Sequence, residues 1–277
     1  MLFIEILKSI LFGIVEGITE WLPVSSTGHM ILLNEFLRLD VSPEFYEMFE
    51  VVIQLGAILA VIVLFFGKLN PFAPSKTAEQ KKGTWSLWFK VVAAVIPSAV
   101  IGFLLDDWFN EHFYNYVTVA VALVVYGVAF ILIERFKKPC EVRVDSVDSI
   151  TYKDALLVGA FQVLAIIPGT SRSGSTILGG MLFGLSRTAA AEFSFFLAIP
   201  TMLGASLLKA LKFFASGASV SLNEWIILAV GCAVAFAVSM LVIRFLMDFV
   251  KRHSFSAFGV YRIVLGIAVV LYFLVSR

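Results

Sequence analysis

Two carboxylates, Glu16 and Glu20, stand four residues apart, so on a helix they share one face. Two uses fit such a pair. It can hold a divalent cation through oxygen ligands, with phosphate oxygens and water filling the other places, or one acid can stay protonated and donate its proton. Three residues later comes Pro23-Val24-Ser25-Ser26-Thr27-Gly28-His29. Ser25, Ser26 and Thr27 are good N-caps for a helix over 28–37, whose free N–H groups and positive dipole end attract an anion. His29, one of three histidines in the chain, is within reach of the same cap. There it can take a proton from Ser26 or give one to a leaving oxygen. A surface helix with both glutamates in water is the plainer reading, and the following Trp21-Leu22-Pro23 argues against it.

A second cluster, Thr170-Ser171-Arg172-Ser173-Gly174-Ser175-Thr176, follows Pro168-Gly169. Arg172 is the sole Lys or Arg between Lys153 and Arg187, and its planar fork suits phosphate. Ser171, Ser173, Ser175 and Thr176, with neighbouring N–H groups, would complete a nest around the same anion. A purely structural ion pair of Arg172 with Glu16 or Glu20 is the rival, and it leaves the density of hydroxyls unexplained. Gln162 upstream is a further candidate to bind substrate, and Glu50 and Glu192 each begin an apolar stretch.

These clusters must be carried by elements that live in lipid. The 277 residues are 60% hydrophobic and 15% charged, where a soluble domain carries about a quarter charged residues. Apolar windows long enough to span hydrocarbon recur at 49–66, 91–105, 117–133, 193–208, 225–243 and 260–275. Lys and Arg alternate between the intervening segments. They are plentiful in 68–90, 135–153 and 244–253, and absent from 106–116 and 213–223, which orients six spans with the basic segments cytoplasmic. The net charge of +1 gives no reason to expect nucleic acid as a partner. Cys140 and Cys232 form neither a disulfide framework nor a metal-type pair.

Residues 5–38 and 154–187 do not fit as simple spans. Each reads as an apolar helix broken at a proline, a run of small hydroxylated residues, and a second apolar helix. Non-helical backbone at membrane depth survives only inside protein or along a wet cavity, so each is expected to be a re-entrant hairpin. Glu16 aligns with Gln162, Pro23 with Pro168, Ser26 with Ser171 and Gly28 with Gly174, allowing one gap. The expectation is a single all-α membrane domain, 1–277, with halves 1–134 and 154–277 joined by a cytoplasmic loop, 135–153. Each half carries one hairpin and three spans, so the second half is inverted relative to the first. The two tips then meet near the midplane.

Glu-Gly-Ile-Thr-Glu (16–20), Pro-Val-Ser-Ser-Thr-Gly-His (23–29) and Pro-Gly-Thr-Ser-Arg-Ser-Gly (168–174) resemble the two signatures of the integral-membrane undecaprenyl-pyrophosphate phosphatase family, the bacitracin-resistance type. The likeness covers essentially the whole chain. It implies hydrolysis of a C55 isoprenoid diphosphate to its monophosphate, recycling a lipid carrier for cell-wall synthesis, in a bacterial plasma membrane with the site open to the outer face. It also implies a divalent cation (Mg2+ or Ca2+) and a link to bacitracin through the shared substrate. Carried over by position, Glu16 and Glu20 serve the metal or proton transfer. Ser26 and His29 provide nucleophile and base, while Arg172 with Ser171 and Thr176 holds the diphosphate. Ser25, Thr27, Ser173 and Gln162 complete the binding set. The nucleophile stays open between Ser26, His29 and water, and a homodimer is compatible with the sequence. The rival class is a secondary transporter or flippase for a lipid phosphate or other anion, since the same architecture serves both.

Overall fold

The computed structural model describes residues 2–113, 115–136 and 142–275, with side chains at 106, 107 and 110 left out. Cys140 and the rest of 137–141 lie outside the described residues. Twelve α-helices and two short 3-10 turns, Val147–Ser149 and Leu164–Ile166, make up the regular structure of the described residues, and most helices start where the local chemistry favours it. The first broken segment is α1 (Leu2–Thr19) and α2 (Ser26–Phe36), and the second is α8 (Tyr152–Val163) and α9 (Arg172–Leu182). Between them run α3 (Pro43–Val52), α4 (Gln54–Leu64), α5 (Phe66–Leu69), α6 (Ala78–Phe113) and α7 (Tyr116–Phe136). The chain closes with α10 (Arg187–Ala215), α11 (Leu222–Arg252) and α12 (Ser256–Val275). Ser42, Ser186 and Ser221 each accept a backbone N–H at a helix start, and Thr151 with Asp154 forms a reciprocal capping box on α8.

Six helical stretches are long and apolar enough to cross a membrane: Pro43–Leu64, Ala78–Leu105, Tyr116–Phe136, Arg187–Ala215, Leu222–Arg252 and Ser256–Val275. Five contain one of the expected windows, and the first covers 49–66 up to Leu64. Their outer faces carry large apolar side chains, among them Leu59, Val63, Phe103, Leu104, Val121, Val125, Leu207 and Leu271, all more than half exposed. Only 22% of the apolar window in Ala78–Leu105 is buried in the protein, so most of that face needs lipid rather than water. The protein is therefore a multi-pass membrane protein. Two details differ from the sequence reading. Segments 106–116 and 244–253 are largely helix, because α6 runs on to Phe113 and α11 to Arg252. The first span is two helices that meet at Ile53.

The helices before residue 137 pack extensively on those after 151. α1 packs along α11, as α8 packs along α6, and α7 packs along α12. A Cβ at Gly13 or Gly17 would fall 2.7 or 2.8 Å from a carbonyl oxygen of α11, and one at Gly159 would fall 2.1 Å from that of Ala94 in α6. A Cβ at Gly127 would lie 2.6 Å from the Gly259 carbonyl, and one at Gly266 would lie 2.9 Å from that of Ala120. Small residues here let backbones touch, the usual way to pack helices in lipid. Gly180 and Gly184 do not form such a stripe, since Gly184 lies beyond the end of α9 with φ 90°.

Candidate active site

The two breaks are built alike. Ser25 has φ 76° and Ser171 φ 68°, and among the described residues they are the two non-glycine positions with positive φ. Each hydroxyl accepts the N–H of the residue three further on, Gly28 at 3.3 Å and Gly174 at 3.1 Å. This geometry corrects the alignment read from the sequence: Ser25, not Ser26, is the counterpart of Ser171, and Ser26 is the counterpart of Arg172. In this register Glu16 still matches Gln162 and Gly28 still matches Gly174, while the prolines are out of step by one. The caps leave the N–H groups at the first two positions of α2 and α9 without intrahelical acceptors.

The breaks touch, and Glu20 is the joint. It is 4% exposed; one carboxylate oxygen accepts the Ser26 hydroxyl at 2.7 Å, and the other accepts Arg172 Nη2 at 3.0 Å and Nε at 3.4 Å. Arg172 also donates to the Ser194 carbonyl at 2.8 Å and lies over the Trp21 ring, 5.8 Å from its centroid. Ser173 crosses the other way, donating to the Glu20 carbonyl at 2.9 Å. Glu16 sits beside Glu20, near enough for the carboxyls to share a hydrogen bond, with Glu50 and Arg172 close by. It is 1% exposed, and its Oε1 has no hydrogen-bond partner.

The remaining candidates divide. Thr176 bonds the Ser194 hydroxyl at 2.7 Å and the Arg172 carbonyl at 2.9 Å, Ser175 donates to that same carbonyl, and Ser171 meets Ser173 at 3.3 Å. These hydroxyls thus brace the turn that presents Arg172. Thr27 follows Ser26 on the first turn of α2 and is partly exposed. His29 is not joined to Ser26. Its Nδ1 meets the Ser25 carbonyl and its Nε2 meets the Tyr261 hydroxyl, both at 2.7 Å, so both ring nitrogens are taken. Gln162 is held away by other partners: its amide nitrogen donates to Ser98 at 2.6 Å and to Thr201 at 3.1 Å. Glu192 forms an ion pair with Lys68.

Three contributors escaped the sequence reading. Ser194 and Tyr261 carry no special spacing. Arg262 did leave a signal, a lone charge inside the apolar helix α12, where ionised residues are costly and kept for a purpose. It is fully buried, and its guanidinium donates to the carbonyls of Pro23 at 3.1 Å, Gly169 at 2.9 Å and Thr170 at 3.1 Å.

The residues present suit a divalent cation in one respect. Two hard carboxylates lie together with an unpartnered oxygen on Glu16 aimed at no protein donor. Among the described residues no third acidic, histidine or cysteine ligand completes a cluster, so phosphate oxygens and water would have to fill the shell.

A family model described as "Bacitracin resistance protein BacA" matches residues 9–268. A curated relative from Enterococcus faecalis, named undecaprenyl-diphosphatase, is 56% identical over 276 residues, covering 100% of both chains. Proteins of the same name from Streptococcus equi subsp. equi and Limosilactobacillus fermentum are each 56% identical over 98% of both chains.

Proposed function

This chain belongs to the bacitracin resistance protein BacA family, and from that premise we propose that it hydrolyses undecaprenyl diphosphate to undecaprenyl phosphate and phosphate where its two broken helices meet. The observation that carries the reading is that the Glu20 carboxylate accepts hydrogen bonds from a hydroxyl on one side and a guanidinium on the other. A carboxylate that already accepts the Ser26 proton can serve as general base for that oxygen. Arg172 neutralises the phosphate oxygens, and the free N–H groups that open α2 and α9 add to it. Ser26 Oγ attacks the terminal phosphorus and its proton passes to Glu20. The bond from phosphorus to the bridging oxygen breaks, and undecaprenyl phosphate leaves. Water then attacks the phosphoserine, releasing phosphate and restoring the serine.

His29, engaged by Ser25 and Tyr261, orients the first turn of α2 and takes no part in activating Ser26. A divalent cation held by Glu16 and Glu20 would neutralise diphosphate charge and polarise the phosphorus. The two broken segments are read as re-entrant hairpins of an inverted repeat, the second half upside down relative to the first, with the prenyl tail lying in lipid between helices. The exchanged contacts of α1 with α11 and α8 with α6 support that plan. The membrane we propose is a bacterial plasma membrane; with the basic segments cytoplasmic, hairpin one would enter from the outer side.

Phosphate release from a long-chain prenyl diphosphate by detergent-solubilised protein, with and without a divalent cation, tests the reading. Release by wild type and its loss in Glu20→Ala are expected. A carrier of the same fold would release none. Ser26→Ala turning over at nearly the wild-type rate would hand the attack to water.

A further inference from the structure

Arg262 is not explained by the chemistry above. It projects from α12, fully buried, and among the described residues no carboxylate pairs with it. Its partners are carbonyls on three separate pieces of chain. Pro23 belongs to the first break, Gly169 and Thr170 to the second, and Ala122 and Leu123, each at 3.5 Å, to α7. The Tyr126 ring covers its face, 5.5 Å from the guanidinium carbon. Breaking a helix strands carbonyls, and at membrane depth a stranded carbonyl is costly unless a donor finds it. Gly169 holds its carbonyl in place through φ 89°, and a Cβ there would strike the Val119 backbone at 2.7 Å. One planar fork with five donors reaches both breaks at once, which a lysine with its donors on a single nitrogen cannot do.

We propose that Arg262 is a positioning residue that holds the two breaks in register, so that Glu20 and Ser26 of the first face Arg172 of the second. It touches none of the reacting groups itself and acts through the backbone on which they stand. The kinetic part of the proposal rests on the phosphatase reading; the geometric part does not.

The test uses full-length protein in detergent, with Cys140 and Cys232 replaced by serine. Spin labels go on Phe36 and Leu182, the exposed last residues of α2 and α9, and distances between them are read by pulsed electron spin resonance. Arg262→Gln and Arg262→Lys are compared with wild type. The expected result is a folded protein whose label distances broaden in both variants, with kcat falling about 100-fold and KM moving far less, as for misplaced catalytic groups. Arg262→Lys keeps the charge in the pocket, so wild-type kcat and distances in that variant would overturn the proposal in favour of charge alone. A narrow, wild-type distance distribution in Arg262→Gln would overturn it whatever the rate. If Arg262→Gln does not fold, Arg262→Lys decides by the same two readouts. A wild type that releases no phosphate refutes the phosphatase reading, while the label distances still decide the clamp.

Discussion

At the first break Ser25 turns the chain with φ 76° and caps Gly28; at the second, Ser171 does the same with φ 68° and caps Gly174. Counted from those serines, the backbones agree and the charges do not. Glu16 faces Gln162 in the count, Glu20 faces Ile166, Ser26 faces Arg172 and His29 faces Ser175. The first break therefore supplies acids and a hydroxyl, and the second supplies a cation and bracing hydroxyls. The neutral counterpart is occupied elsewhere: Gln162 links Ser98, which follows Pro97 in α6, to Thr201, which follows Pro200 in α10. One bend thus accommodates two sets of side chains. Only the contact between unlike sets, Glu20 with Arg172, assembles a hydroxyl, a base and an anion binder in one place.

The comparison breaks most sharply at Glu20. Glu20→Gln keeps the shape but removes the base for Ser26 and the charge facing Arg172, so kcat should fall by about 1000-fold, within the span measured for general bases. A drop below tenfold in phosphate release would move the base elsewhere in the site. On the other side, Arg172→Lys keeps the positive charge yet cannot grip Glu20 through Nε and Nη2 while holding the Ser194 carbonyl. A loss of about 100-fold in kcat/KM is expected, the order seen when one oriented donor is removed. Equal activity in Arg172→Lys would mean that point charge suffices and the fork does not matter.

Much of this was legible in the sequence, for reasons that also mark where legibility stopped. The six spans follow from length and apolarity, which lipid enforces with little help from tertiary contacts. Glu16, Glu20 and Arg172 stood out because charge in an apolar stretch is costly. The register of the breaks was off by one, since Ser25 and Ser26 are equally good caps by composition and only backbone φ distinguishes them. Ser26 was matched with His29, its neighbour on one helix face, because spacing reports local neighbours. The partner it has, Glu20, lies across the break. The approach of Glu20 to Arg172, across 152 residues of chain, follows from two broken segments whose tips meet, while their direct bond enters only as a rival ion pair. Arg262 sits inside an apolar window whose average hides one charge.

A smaller effect separates the first helices of the two broken segments, α1 and α8. Asp154 opens α8; burial alone would raise its pKa, but the Arg143 guanidinium and the Thr151 hydroxyl and N–H outweigh that and hold it below the usual carboxylate value. Glu5 near the start of α1 is lowered in the same way, burial being outweighed by Lys8 and the Asp40 N–H. A depressed folded-state pKa gives stability that is fully present above the unfolded value, about 4, and is lost as pH falls through the folded one. Thermal midpoints in detergent should therefore be lower for Asp154→Asn than for wild type at pH 7, with the gap closing towards pH 3. Glu5→Gln should behave alike with a smaller gap, since its partner Lys8 offers a point charge and not a fork. A gap that persists unchanged at pH 3 would assign the Asp154 effect to packing and not to charge.

The smallest expected effects test the bend itself. Positive φ costs a residue with a Cβ roughly 1 kcal/mol, which glycine escapes, while exchanging a serine cap for glycine costs a few tenths. Ser25→Gly and Ser171→Gly should each leave the thermal midpoint nearly unchanged, and Ser25→Ala and Ser171→Ala should each lower stability by about 1 kcal/mol, because the strain stays while the cap is lost. The four values matter less than their agreement in pairs. If the breaks are one device used twice, the two glycine variants match each other and so do the two alanine variants. Should Ser25→Gly slow phosphate release well beyond Ser171→Gly at equal stability, the Ser25 hydroxyl does more than cap α2, and the likeness between the breaks ends at their backbones.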